Sequence, residues 1–551
     1  MYRNVSKVLF PACVATVLVA CGGGSGGGSG TPTPTTKTGV FMNGSVENIR
    51  YSTATQSGYT NSAGEFLYED GETISFYVGD ILLGSTAVAA TLDLFDVSGA
   101  SAPANGLETT QAWYSIGRDN PFNTVINYSV FLQTLDADSD LDNGISIPQT
   151  MHSVAALESL NFSLPADDFP EDFQLRKLIA EGRAQGLWGG SKQIRHPGLA
   201  LDQLYSSLGL ETHVYLPTGG FTDLDNDGVA DANDNTYTYD ATDNTWVYEY
   251  DNDADGIYDT TTTYDYNENS KQDTRISVST LYSNYTVNHS YDADGNLIGL
   301  ITDTSSDGVI DNSRAYEHDE NGSLTVEQVD SNGDGALNYI RYYTYDSNGN
   351  KTIQENDSLA DGSINQRLTY TYDSNNNLIL EEWDQEPDGV IDITYEYTRD
   401  SNGNVTMREW DKDGDGVADD VRNYEYDSRG NLIVSEQDSD GDGAIDFRET
   451  REYDANNNRT LVERDTDGDG AINYRSESVF DSNGFIVGIN RDTDGDGVLD
   501  VIHTYTNDSN GNFILGEYDD DGDGVVDRRY NAEYQIDQGS FNAYWLYWFD
   551  E

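Results

Sequence analysis

From Asp303 to Asp519 an acidic loop returns every 27 residues, nine times without an insertion, and two earlier copies begin at Asp223 and Asp251. A second signal keeps the same period at Asp292, Asp319, Asp346, Asp373, Asp400, Asp427, Asp454, Asp481 and Asp508, most of which follow a tyrosine. Such a period confines the chain to one supersecondary unit repeated many times, because each unit must present the same surface to the next.

The unit spanning residues 411–437 shows what repeats. An acidic connection from Asp411 to Asp419 leads into an alternating segment, with Tyr424 and Tyr426 on one face and Glu425 on the other. Asp427-Ser-Arg-Gly430-Asn431 is a tight-turn signal, where Gly and Asn supply positive φ, and an apolar return strand follows. Each unit is therefore predicted to be two antiparallel strands, and the repeats an up-and-down meander or solenoid with a C-terminal cap.

The acidic loop carries the chemistry. Carboxylates at alternate positions converge when a loop curls, and Gly at position 6 permits the sharp bend. Unpaired, they repel one another; a hard divalent cation that takes six to eight oxygens removes the penalty. Eight loops have Asp or Asn at positions 1, 3, 5 and 9. They are Asp223, Asp225, Asp227 and Asp231; Asp251, Asp253, Asp255 and Asp259; Asp330, Asn332, Asp334 and Asn338; and Asp411, Asp413, Asp415 and Asp419. The other four are Asp438, Asp440, Asp442 and Asp446; Asp465, Asp467, Asp469 and Asn473; Asp492, Asp494, Asp496 and Asp500; and Asp519, Asp521, Asp523 and Asp527. The loops at Asp303, Asp357 and Asp384 are degraded by Ser305, Leu359 and Glu386-Pro387. Calcium, held structurally in several copies, is the expected cofactor. These are not full EF-hands: position 12 is a glutamate only in the Asp438 loop, as Glu449, and the flanking segments are strands.

The loops resemble the aspartate-rich calcium loops of thrombospondin type 3 repeats, without their cysteines. The Tyr-Asp-x-x-Gly-Asn turns resemble the YD repeats of the Rhs family, which implies strands wound into a spiral or shell. The tyrosine stripe (Tyr343, Tyr345, Tyr370, Tyr372, Tyr395, Tyr397, Tyr424 and Tyr426, with Trp383 and Trp410) is expected to be the buried side of the sheet; a glycan-stacking face is the alternative.

The chain carries 98 acidic against 29 basic residues, a formal charge of −69, which excludes nucleic-acid binding by counterion release and docking through a polybasic patch. Its 11% aromatic content separates it from an acidic disordered tail. Cys13 and Cys21 lie at the extreme N-terminus, so no later disulfide or thiol nucleophile exists, and the six histidines are scattered. No recognisable catalytic set emerges, and the chain is expected not to be an enzyme.

Arg3 and Lys7 precede an apolar run ending in Leu18-Val19-Ala20-Cys21, a signal-peptide pattern too short to span a bilayer. The segment resembles the lipobox of bacterial lipoproteins. That resemblance implies removal of residues 1–20, lipidation of Cys21, a lipid bilayer as partner and an outer-membrane address facing the exterior. Residues 21–38 read as a Gly/Ser and Thr/Pro tether. Residues 39–95 alternate between Gly turns as a small β-sandwich, and Gly64-Glu-Phe-Leu-Tyr68 with Gly71–Gly79 resembles carboxypeptidase-regulatory, transthyretin-like modules. Residues 96–210 read as a helical domain, with helical spacing at 123–135, 154–160, 170–185 and 199–208; its acidic stretch from Asp136 to Gly144 is either a cation loop or a solvated turn. Residues 211–537 form the repeat domain and 538–551 an aromatic cap expected to cover the last strand edge.

The expectation is thus a mainly β, calcium-binding, lipid-anchored surface protein with an adhesive or scaffolding role and a protein or glycan ligand. The alternatives are a glycan-binding module and an Rhs-like carrier or hydrolase accessory protein.

Overall fold

The computed structural model describes residues 35–104, 108, 112, 121–210, 214–225, 227–509, 511–537, 541 and 546. The signal segment, Cys21, the tether up to residue 34 and most of the aromatic C-terminal segment lie outside the described residues.

Residues 37–93 build two small sheets, one of three strands and one of four. Alternation puts one face of each toward the other: Phe41 of the first meets Phe76 of the second with ring centroids 4.5 Å apart, and Phe66 stands edge-on to Phe76 at 5.6 Å. Five helices follow among the described residues: α1 (Leu94–Ser98), α2 (Pro121–Thr134), α3 (Met151–Val154), α4 (Phe173–Ala184) and α5 (Pro197–Leu208). The helix expected over 154–160 is instead the single turn α3. Leu157 takes φ 68°, which a right-handed helix cannot contain, and is 93% exposed.

Sandwich and helices share one core. Val46 pairs in parallel with Ile145, and buried His152 ties the layers by accepting from the Gly79 amide at Nδ1 (2.8 Å) while Nε2 meets the Asn48 carbonyl at 2.7 Å.

The repeats close on themselves. Twenty-four antiparallel strands, from Val214–Asp223 to Arg528–Asp537, follow one another around a barrel, and the last pairs with the first over nine residue pairs from Val214↔Asp537 to Asp223↔Arg529. The expected open meander or solenoid is therefore corrected to a closed barrel. The physical reason is that strand twist curls a long sheet, and closure leaves no row of unpaired backbone groups. Adjacent strands ~4.8 Å apart and tilted in the usual range give a barrel on the order of 40–50 Å across. The C-terminal aromatics consequently have no free edge to cap. Among the described residues of that segment, Phe541 is buried against Tyr205 (4.7 Å) and Leu546 lines a recess with Tyr237, Trp246 and Tyr264.

Closure also sorts the connections. Twelve lie at one end, eleven of them the acidic loops; the other is the short link from Ser279 to Tyr285. The tight turns occupy the opposite end. There Asp427 Oδ1 accepts from the Arg429 and Asn431 amides at 2.8 and 2.9 Å, Oδ2 accepts from Asn431 Nδ2 at 3.0 Å, and Gly430 takes φ 86°. The left-handed residue is thus the Gly, or an Asn in its place at Asn376 and Asn457; the Asn that follows acts through its side chain instead.

The helical layer rests on this turn end. Arg176 donates to the Gly322 carbonyl (2.9 Å), Gln193 to that of Ala293 (3.4 Å), and the Phe173 ring fills the space where a Cβ at Gly349 would stand. The acidic rim therefore faces away from the N-terminal layer.

The tyrosine stripe occupies one face of the barrel wall. The hydroxyls of Tyr345, Tyr372, Tyr426 and Tyr453 donate to the carbonyls of Leu324, Lys351, Val405 and Leu432 at 2.8–3.1 Å, and Arg399 Nε donates to the Leu378 carbonyl at 3.1 Å in the repeat that has arginine there. Burial, with Tyr343 nearby, pushes the Tyr345 phenol up to about 12. Trp410 stacks on Tyr395 at 5.2 Å. The stripe is a half-buried packing face.

Candidate metal centre

Each acidic loop is first a hydrogen-bonded backbone device. In the Asp411 loop, Asp411 Oδ2 accepts from the Gly416 amide and Oδ1 from Gly414, both at 2.8 Å; Asp415 accepts from Val417 at 2.9 Å. Asp419 closes the loop by accepting from the Lys412 amide at 2.8 Å. Burial would raise the Asp411 carboxyl, but the Gly416 and Gly414 amides outweigh it and hold it below the usual carboxylate range.

This pattern repeats around the rim and assigns distinct roles to the four predicted positions. Position 1 is sunk into the loop: Asp223, Asp251, Asp330, Asp438, Asp465, Asp492 and Asp519 are all buried. Position 9 is a latch for the position-2 amide. Asp231, Asp259, Asn338, Asp446, Asn473, Asp500 and Asp527 accept from Leu224, Asn252, Ser331, Ser439, Thr466, Thr493 and Asp520 at 2.5–3.1 Å. A latch needs only an acceptor oxygen, which explains why Asn serves there as well as Asp. Positions 3 and 5 are the exposed ones, and include Asp225, Asp253, Asp413, Asp440 and Asp467.

Carboxylate oxygens converge to within 4.8 Å of one another in Asp223/Asp225/Asp231, Asp251/Asp253/Asp255, Asp411/Asp413/Asp419, Asp438/Asp440/Asp446 and Asp465/Asp467/Asp469. The structure thus brings positions 1 and 3 together with either 5 or 9. In the Asp519 loop, Oδ1 of the buried Asp519 has no hydrogen-bond partner among the described residues. Like charges strain these groups: Asp227 raises Asp225, and Asp255 raises Asp253, above the ordinary carboxylate range. Such a donor set, all hard oxygen and mutually repelling, fits a hard divalent cation.

Two sequence features resolve differently. Glu449, the one glutamate at position 12, is no ligand: it pairs with Arg451 (2.5 Å) and Arg464 (2.7 Å) on the barrel wall. The Asp136 to Asn143 loop is served by an ammonium, since Lys192 Nζ donates to the Asp136 carbonyl at 2.7 Å and to Ser139 Oγ at 2.6 Å.

The sequence reading missed the glycine at position 4. Gly414 takes φ 70°, and a Cβ there would come within 2.5 Å of the carbonyl oxygen of Ile391 in the preceding loop; Gly468 meets Ile445, and Gly522 meets Leu499, in the same way. The recurring D-x-D-G-D-G spelling, against Ala254 or Ser306 at the same place in early loops, was the available signal. These loops stack, each on the one before. Gly468→Ala is expected to cost about 1–3 kcal/mol through left-handed strain and the lost stacking, read as a lowered denaturation midpoint, with Ser428→Ala at an exposed turn position as a near-neutral control.

The titrations separate loops from turns. Asp225 and Asp253 have raised folded pKa values, so their favourable contribution is complete below the unfolded value near 3.8 and is lost as pH rises through the folded value. Asp427 is held down to about 2, chiefly by the Asn431 side chain, so its contribution is present above 3.8 and lost as pH falls toward 2. Metal-free protein is therefore expected to melt higher near pH 4 than at pH 7, and to lose stability again between pH 4 and pH 2. A melting temperature that falls monotonically from pH 7 would refute the assignment of repulsion to the loops.

No family model matches this chain, and neither does any curated protein. Among solved structures it is similar to the TcdB2-TccC3 complex, at 14% identity and TM-score 0.21 over 57% of this chain and 21% of the other. It is also similar to the Photorhabdus luminescens Tc holotoxin pore, at 15% identity and TM-score 0.20 over 61% and 21%. A porin-like protein from Bacteroides uniformis matches at 11% identity and TM-score 0.17 over 55% of this chain and 96% of its own. The chain thus spans about a fifth of the length of the toxin chains it resembles.

Proposed function

We propose that this chain is a calcium-stiffened structural protein of the bacterial surface, tethered by its N-terminus and presenting the acidic rim of its barrel outward. The observation that carries the reading is the ring of converging carboxylates, with oxygens within 4.8 Å in loop after loop on one rim. The helical layer rests on the turn end of the barrel, so a lipid anchor at Cys21 would leave the acidic rim distal to the membrane. In that arrangement the rim is the contact surface. Its loop tips carry Val229, Ile257, Val390, Val417, Val498 and Val525, each at least 60% exposed, interleaved with carboxylates. Such a mixed surface suits adhesion once cations have neutralised its charge.

The wall supports a body that stands in water. One face carries the Glu355–Arg367 and Glu517–Arg529 pairs at 2.7 and 2.6 Å; the tyrosine face carries Glu327–Arg341 at 2.9 Å. With charges in mid-strand on both faces, neither offers the apolar band that lipid requires, where each arginine would cost about 2–4 kcal/mol. No helix among the described residues is long and apolar enough to cross a membrane.

The test is a calcium titration by calorimetry, paired with cell-surface labelling and an aggregation assay on whole cells with and without the gene. Saturable binding of several ions, surface labelling and loss of aggregation on deletion are expected. Labelling only after the outer membrane is broken would overturn the exterior address.

A further inference from the structure

The seam between helices and barrel encloses a cavity of about 400 Å³, the low end of the range for small-molecule sites. Its lining runs against the charge of the whole molecule. Arg176, Arg183, Lys192 and Lys271 face it against Asp167, Glu171 and Asp294, so in a chain of net charge −69 the cations here match the carboxylates. His196 and Pro197, at the N-terminal end of the twelve-residue helix α5, also line it and add the positive end of a helix dipole. The cations are held in place: Arg183 pairs with Asp294 at 2.7 Å, Arg176 pairs with Glu171, and Lys271 lies 5.6 Å from the centre of the Tyr291 ring. His196 is driven down to about 3, first by burial and then by Lys271 and Arg195, as a positive surrounding requires.

Uncommitted hydrogen-bonding atoms meet in the same hollow. Gln193 is anchored by its amide nitrogen to the Ala293 carbonyl, which leaves Oε1 buried with no hydrogen-bond partner among the described residues. Gln272 Nε2 and His289 Nδ1 are likewise buried without one. Buried polar atoms are nearly always satisfied, so three orphans lining one cavity mark a place built for a polar guest. Donors and acceptors are both present, and the apolar surfaces of Ile179, Ile194 and Pro197 lie between them.

We propose that this cavity binds a small hydroxyl-rich acid of the sugar-acid class, its carboxylate beside Lys271 and the α5 N-terminus, its hydroxyls on Gln193, Gln272 and His289. The site is separate from the acidic rim and does not rest on the calcium reading. Being walled by both the helical layer and the turns that begin at Asn267 and Asp292, a filled cavity would also fasten the two together.

The test is calorimetry on the full chain with glucuronate, glucose and inorganic phosphate as probes, repeated with Lys271→Met and Gln193→Met. Glucuronate is expected to bind, with glucose and phosphate each at least tenfold weaker and both variants weakened tenfold or more toward glucuronate. In the wild-type chain the His289 imidazole resonances should shift on adding glucuronate, a readout that does not depend on either variant folding. Equal affinity for glucose and glucuronate, phosphate binding as tightly as glucuronate, or unshifted His289 resonances at saturating probe would overturn the proposal.

Discussion

Removing calcium is expected to convert a rigid barrel into an expanded, protease-sensitive one. With ~1 mM free calcium and a Kd of ~0.1 mM, typical of extracellular modules, each loop gains about 1.4 kcal/mol by linkage, and eight independent loops about 11 kcal/mol. That equals the whole stability of an ordinary domain, and for a body of this size corresponds to a melting shift on the order of 20 °C. The loop geometry supports that proposal. Each first carboxylate accepts from the position 6 glycine amide, whereas positions 3 and 5 stand exposed beside one another; Asp225 and Asp253 are raised above the usual range by those neighbours. EGTA should lower the melting temperature by that amount, increase the hydrodynamic radius and open the repeats to proteolysis, and calcium should reverse all three. Identical melting and circular dichroism with and without calcium would sink the structural role. A graded version follows by removing the position 3 oxygens in one loop, as in Asp413→Ala, which should remove about one loop's share.

The second large effect concerns closure. Gly220 lies in the strand that seals the barrel, and a Cβ there would stand 2.6 Å from the Asn531 carbonyl oxygen and 2.7 Å from the Tyr530 ring. Gly220→Val must therefore push the first and last strands apart. Losing several of the nine residue pairs at the seam is expected to cost about 3–5 kcal/mol at roughly 1 kcal/mol per net hydrogen bond. The control is Gly299→Val within the wall, where the nearest contacts are 3.7 Å away and the cost should stay under about 1 kcal/mol. Equal stability and equal radius for the two variants would mean that the seam does not hold the repeats together.

Much of the local structure was legible. Alternation around Tyr424 and Tyr426 marks a strand because successive side chains point to opposite faces, and the strands lie at Asp420–Tyr426 and Leu432–Asp438; Asp427 to Asn431 is a turn as read, but only Gly430 is left-handed there and Asn431 acts through its side chain. The acidic positions were also visible, since carboxylates at alternate places have few other uses. Their division of labour was not. Spacing makes positions 1, 3, 5 and 9 look equivalent, and only the fold shows that Asp419 latches the Lys412 amide while Asp411 caps two glycines. The cavity at the helix–turn seam was invisible for a similar reason. Gln193, Lys271 and His289 belong to separate segments with no shared motif, and nothing in their local sequence marks them as neighbours.

The period of 27 residues determined by itself that the chain is a stack of two-stranded units with acidic loops at one end and Asp-Asn turns at the other. Register, turn type and charge placement are short-range properties, and each repeat carries its own copy of the instructions. Whether that stack runs on as a solenoid or returns on itself is decided by the small rotation between neighbouring strands summed over twenty-four of them, together with the pairing of Val214–Asp223 with Arg528–Asp537. No single repeat encodes that sum. It emerges only when the first and last strands, more than three hundred residues apart, meet with their hydrogen-bonding groups in register, and it places every acidic loop on one rim.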